Sequence, residues 1–159
     1  PPECFTADQT TKLLALLRNQ VNFFLDTLGY DPENICVLAP SSKWIEEISE
    51  TLNGEKFGSY DLRKEDFSFY RTDVIRLSTL HSSKGLDFPV VLLFLPELPF
   101  TGFRHDVASK TKILNNLVYV GMTRAMDHLN VFLLNDRDGA ILRDFDKIIT
   151  PVTDFLSIG

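Results

Sequence analysis

Ser78-Thr79-Leu80-His81-Ser82-Ser83-Lys84-Gly85-Leu86-Asp87-Phe88 joins two apolar runs, one entering from Val74 and one leaving over residues 90–95. Runs that are apolar almost throughout, rather than alternating, read as strands covered on both faces, which is the pattern of a parallel sheet. The stretch between them is dense in polar side chains: His81, Ser82, Ser83, Lys84 and Asp87, with Gly85 among them. A core has no use for such a turn. In an open α/β sheet, ligands bind just outside the carboxyl ends of the strands, which is where this reading puts the stretch. On chemistry alone it reads equally well as an ordinary connection with solvated side chains.

Working outward, residues 7–28 place Leu13, Leu14, Leu17, Val21, Phe24, Leu25 and Leu28 at helical spacing, with Thr6 or Asp8 to cap the start and Gly29 to end it. Residues 31–34 (Asp-Pro-Glu-Asn) are a turn, and residues 35–39 a short buried strand. A helix then runs from Ser41-Ser42 to about Leu52. Residues 54–73 are polar and weakly patterned, read as connection with an edge strand near 67–70. Beyond the second apolar run, residues 100–108 are irregular. Residues 109–126 are helical by pattern, 129–134 a strand, and 140–149 a final helix. This order is that of an α/β domain, with a mainly parallel sheet and helices on its faces.

With 159 residues, 44% of them hydrophobic, the chain fits one domain with a core of its own. The core spans about residues 7–150. No apolar run approaches the roughly 20 residues of a membrane span. Cys4 and Cys36 make no disulfide framework, so the expected compartment is reducing and cytoplasmic, and with three histidines they give no metal-ligand spacing. A formal charge of −6 argues against nucleic-acid binding by bulk charge. Between His81 and Asn135, however, five Lys/Arg stand against four Asp/Glu, which leaves that stretch near neutral.

The second informative stretch is Asn115-Asn116-Leu117-Val118-Tyr119-Val120-Gly121-Met122-Thr123-Arg124-Ala125. On a helical wheel Leu114, Leu117, Val118, Gly121 and Ala125 form an apolar stripe, with Arg124 on the order of 90° from its centre. An arginine at such a margin is either a solvated flank residue or a cation pre-positioned for an anion.

Together, the two stretches carry a resemblance. Residues 79–88 resemble motif V, and residues 119–125 resemble motif VI, of the UvrD/Rep family of superfamily-one DNA helicases. They stand in that family's order and spacing, and residues 35–52 occupy the place of motif IV. The resemblance implies a three-layer RecA-like domain, the C-terminal half of a two-domain motor. ATP and Mg2+ would be held mainly by an N-terminal RecA-like domain, and single-stranded DNA would run across both. Arg124 matches the arginine that reaches the γ-phosphate, a task suited to its planar donors. Gly85 and Asp87 match residues near the nucleotide, with Asp87 one methylene shorter than the usual Glu. Thr79 and His81 match positions at the DNA backbone. Lys84 would contact phosphate or anchor the loop.

The departures from the family are specific. Its motif IV offers a Tyr to stack on adenine and an Arg to the γ-phosphate, where this sequence has Ala39 and Pro40. Residues 54–73 leave no room for the large inserted subdomain of many relatives. There is no Gly-x-x-x-x-Gly-Lys-Ser/Thr loop, so the chain lacks its own phosphate loop and is not expected to hydrolyse ATP alone. The alternative is a non-catalytic binding or scaffolding module that has kept the fold.

Overall fold

The computed structural model describes residues 3–52, 58–61, 74–80, 82–83, 85–96 and 107–134. The expected final helix and the edge strand near 67–70 lie outside these residues. Six strands, β1 (Glu3–Ala7), β2 (Ile35–Ala39), β3 (Gly58–Asp61), β4 (Val74–Thr79), β5 (Phe88–Leu95) and β6 (Ala125–Leu134), form one sheet. Their order is β1-β6-β5-β2-β4-β3, and every adjacent pair is parallel. Among the described residues three α-helices accompany them: α1 (Thr10–Asn22), α2 (Ser42–Leu52) and α3 (Val107–Arg124).

Strand periodicity divides the core in two. Ile35, Val37 and Ala39 of β2, with Val90, Leu92 and Phe94 of β5 and Phe132 of β6, face a first layer. There Leu13, Leu14, Leu17 and Val21 of α1 meet Ile45, Ile48 and Leu52 of α2. Cys36 and Leu38, with Val91, Leu93, Leu95, Leu129, Val131 and Leu133, face the opposite side, where Val118 and Met122 of α3 cover them. The fold is the expected three-layer α/β arrangement with helices on both faces.

Several boundaries differ from the sequence reading, each for a local reason. Residues 3–7 are a strand, missed because an edge strand has one neighbour and shows no strong alternation; β1 pairs with β6 from Glu3↔Asn130 to Ala7↔Leu134. Thr6 is therefore in a strand and caps nothing, while Asp8 pairs with Lys12 at 3.0 Å. The first helix starts at Thr10 and widens into a π-helical turn, Phe23–Thr27, before Gly29 reverses the chain at φ +74°. α3 ends at Arg124 and β6 begins at Ala125, with no loop between them. Ala125 therefore belongs to a strand and not to the helix stripe.

The largest correction concerns the polar stretch that opens the sequence reading. Both β4 and β5 flank β2 and run parallel to it, so their connection must return from the top of one to the foot of the other. Thr79 stands level with Ala39, and Leu93 with Leu38, so Thr79 is at the height of Phe94 and Phe88 lies six residues lower (94 − 88). At about 3.3 Å per residue this descent is roughly 20 Å. The described residues between Thr79 and Phe88 (80, 82–83 and 85–87) lie as a strap across the second face of the sheet, against the layer that includes Cys36 and Leu38 of β2. Leu80 N–H donates to the Ala39 carbonyl (3.0 Å) at the start, and Leu80 and Leu86 pack on the second core layer. The stretch is therefore at a carboxyl strand end only around Thr79; Gly85 and Asp87 lie toward the amino end of β5.

Candidate functional site

Each part of the strap has a distinct physical job. At its head, the Thr79 hydroxyl accepts from Ser82 N–H (3.2 Å) and donates to Ser82 Oγ (3.0 Å), which closes a tight turn. The outward-facing hydroxyl here is thus that of exposed Ser82. In the middle, Ser83 is fully buried, contrary to the expectation that these polar residues lie outside the core. Burial of a hydroxyl and a peptide unit is tolerable only with partners, and Ser83 has them all. Its N–H donates to Thr79 O (3.2 Å), its Oγ donates to Leu80 O (2.9 Å), and its carbonyl accepts from Leu86 N–H (3.1 Å). At its foot, Gly85 takes φ +83°, a left-handed conformation that side chains with a Cβ disfavour. A Cβ there would meet nothing within 4 Å, so the requirement is conformational and not steric.

Ser83 also joins the two motif-like stretches. Arg124, 41 positions away in sequence, donates its Nε–H to both the carbonyl and Oγ of Ser83, each at 3.2 Å. Its Nη1 donates to Thr123 Oγ1 at 2.8 Å, and that hydroxyl in turn donates to Val120 O at 2.8 Å. A guanidinium carries five N–H donors, so among the described residues three are left without an acceptor, two of them on Nη2. Among the described residues no carboxylate pairs with Arg124. Its half-buried position at the last residue of α3 agrees with the wheel reading, and the carbonyl end of a helix favours a cation there by about 0.3–1 kcal/mol.

Tight packing of α3 sets the height of this arginine. A Cβ on Gly121 would come within 3.1 Å of Leu129 Cδ1 and 3.4 Å of Leu93 Cδ2, so the glycine lets the helix sit close on β5 and β6. One turn later Arg124 reaches Ser83. Ala125 is level with Phe88, which places Arg124 at the foot of the sheet beside Asp87, a half-buried residue.

The predicted residues thus form two groups. Gly85, Asp87 and Arg124 gather at the amino end of β5 and β6. Thr79 stands level with the far end of β5, but the chain folds back toward it: Ser83 N–H donates to Thr79 O (3.2 Å) while Ser83 accepts from Arg124, so one residue links the two groups. His81 and Lys84 lie outside the described residues. Ala39, at the motif IV position, is fully buried at the end of β2. A buried methyl cannot stack on a base. Ser83, Ser82 and Thr123 are residues that sequence reading did not single out; the Ser83–Arg124 link needs the tertiary fold to be seen. Among the described residues no three His, Cys, Asp or Glu side chains are placed to hold a metal ion, and no helix is long and apolar enough to cross a membrane.

Comparison with known proteins places this geometry. Residues 61–136 match the UvrD-like helicase C-terminal domain. That stretch belongs to the UvrD-like helicase C-terminal family. It includes β4, the strap, β5, α3 and β6, and so holds both groups of residues. The ATP-dependent DNA helicase Rep of Salmonella typhimurium is 30% identical over 97 residues, 60% of this chain and 14% of its own length. The ATP-dependent DNA helicase UvrD1 of Mycobacterium bovis is 28% identical over 110 residues, 64% of this chain and 13% of its own. The chain therefore spans about one-seventh of these relatives. The fold is also that of the crystal structure of the C-terminal domain of a possible DNA helicase from Lactobacillus plantarum WCFS1. That likeness has a TM-score of 0.63 at 14% identity, covering 89% of this chain and 79% of the other.

Proposed function

We propose that this UvrD-like domain is the C-terminal half of an ATP-dependent DNA helicase or translocase motor, completing an ATP site whose phosphate cradle lies on an N-terminal RecA-like domain. The observation that carries this reading is Arg124: held on one edge by buried Ser83, with three N–H donors and no carboxylate partner among the described residues. A guanidinium so fixed fits a phosphoryl anion, which its planar donors recognise bidentately. Gly85 and Asp87, at the same end of the sheet, flank the nucleotide in this reading, with Asp87 toward the ribose. Mg2+ bound with ATP would supply neutralisation of the phosphate charge. The described residues do not fit a site for it, and it falls to the other domain.

Single-stranded DNA is assigned to the opposite end of the strap. Thr79 lies there, and its engaged hydroxyl implies that the outward donor to a backbone phosphate is Ser82. His81 and Lys84 carry over from the sequence resemblance alone.

The test is to combine the chain with an N-terminal motor domain and compare Arg124→Ala with the parent. An arginine that meets the γ-phosphate accounts for about 10³ to 10⁵ in hydrolysis rate, so a loss of at least about 10³ is expected. Hydrolysis at the parent rate overturns the assignment. The buried Ala39 at the motif IV position favours a second reading, a helicase-like binding or scaffolding module. In that case the combined domains bind DNA or protein yet hydrolyse no ATP, whichever residue stands at 124.

A further inference from the structure

We infer that Ser83 is a positioning residue for Arg124, holding the guanidinium by its Nε edge so that the terminal nitrogens are presented to a phosphoryl anion. The inference deepens the function proposed above and rests on it. Ser83 touches no expected ligand, since its side chain is fully buried within the strap. Its hydroxyl proton is committed to Leu80 O at 2.9 Å, which turns the oxygen lone pairs toward Arg124. Its carbonyl is fixed in turn by Leu86 N–H at 3.1 Å. The Nε–H of Arg124 thus meets two acceptors on one rigid residue, both at 3.2 Å. Thr123 fixes one hydrogen of Nη1 from the other side. A long side chain that would otherwise sample many rotamers is limited to those that keep Nε against the strap.

The arrangement also explains why a serine suits this buried place. An alanine keeps the carbonyl acceptor but removes the hydroxyl, leaving Leu80 O without its donor and Nε–H with one acceptor. A displacement of about 1 Å at a reacting group costs up to about 10²-fold in rate. Half the anchor remains, so about a tenfold fall in turnover is expected for Ser83→Ala, with KM for ATP changed by less than about twofold.

The decisive experiment is a cycle of Ser83→Ala with Arg124→Lys, measured as DNA-stimulated ATP hydrolysis by this chain combined with an N-terminal motor domain. Lysine has no Nε–H to anchor, so Ser83→Ala is expected to cost turnover beside the native Arg124 and to cost little in the Arg124→Lys background. Equal losses in both backgrounds overturn the inference by showing a structural role. So does a neutral Ser83→Ala beside an Arg124→Lys that lowers turnover. If Arg124→Lys itself has no effect, the function proposed above fails as well. A second readout needs no partner: in the chain alone, the Arg124 Nε–Hε NMR signal is expected to shift and exchange faster in Ser83→Ala while the Leu93 and Leu129 methyl signals stay in place. An unmoved Nε–Hε signal also overturns the inference. Should Ser83→Ala fail to fold, Thr123→Ala on the exposed helix surface releases Nη1 and is expected to lower turnover severalfold; full turnover there counts against the whole anchor.

Discussion

The two faces of the sheet are covered in different ways. The first is closed by two helices and a run of aromatic contacts, with Phe94 6.2 Å from Trp44 and 6.4 Å from Phe132, and Phe5 stacked on Phe132 at 5.2 Å. Its notable buried polar contact is Asn130 Nδ2 donating to Gln20 Oε1 at 3.0 Å. Among the described residues, the second face has one helix and a strap. Buried serine and a half-buried arginine take the place that a second helix occupies opposite. The first face is built for cohesion, the second for presenting groups at two ends of one connection. On the function proposed above, the groups that meet nucleotide lie on the second face, beside a core layer of its own.

The largest effect that tests this division is on the first face. Phe94→Ala removes a fully buried ring between Trp44 and Phe132 and is expected to cost about 3–5 kcal/mol in urea unfolding. Arg124→Ala, measured the same way, is expected to cost less than about 1 kcal/mol, because exposed or half-exposed polar contacts contribute little. Comparable losses for the two would erase the division. A middle-sized effect belongs to the strap. Gly85→Ala has space for its Cβ but not the backbone freedom, and is expected to destabilise by about 1–2 kcal/mol. A neutral result would mean that the foot of the strap relaxes out of φ +83°.

The smallest effect is in pH dependence. Burial pushes the Cys36 thiol on the second face well above its ordinary value of 9.0, with Arg76 acting the other way. Burial, followed by Asp127, raises Tyr30 on the first face as well. Both groups hold their protons in the folded state where the unfolded chain would lose them. The stability they contribute is fully present below about pH 9 and declines as the pH rises above it. Denaturation midpoints measured from about pH 8 upward should fall more steeply for the parent than for Cys36→Val. Parallel curves would show that the thiol plays no part. In native protein at about pH 8, Cys36 should resist thiol reagents that modify Cys4.

Sequence reading recovered the central strands because burial on both faces leaves them apolar throughout; β2 and β4 carry their expected limits. It missed β1 and β3, the two edges, where a single neighbour imposes little pattern. It placed Arg124 at the margin of a helix from the wheel alone. It did not see that Ser83 was the partner of that arginine, since a serine in a polar turn looks like its neighbours until the strap is laid across β2. The direction of the strap was likewise illegible, because it depends on strand register, which no local run of residues encodes.

The junction at Arg124 and Ala125 has one more consequence. A loop between helix and strand would act as slack, letting the arginine shift while α3 and β6 stayed still. Here the residue that ends the helix is bonded directly to the one that starts the ladder, level with Phe88. A pull on the guanidinium can be answered only by rotation of its own side chain or by movement of α3 against the sheet, and Gly121 leaves little clearance for the second.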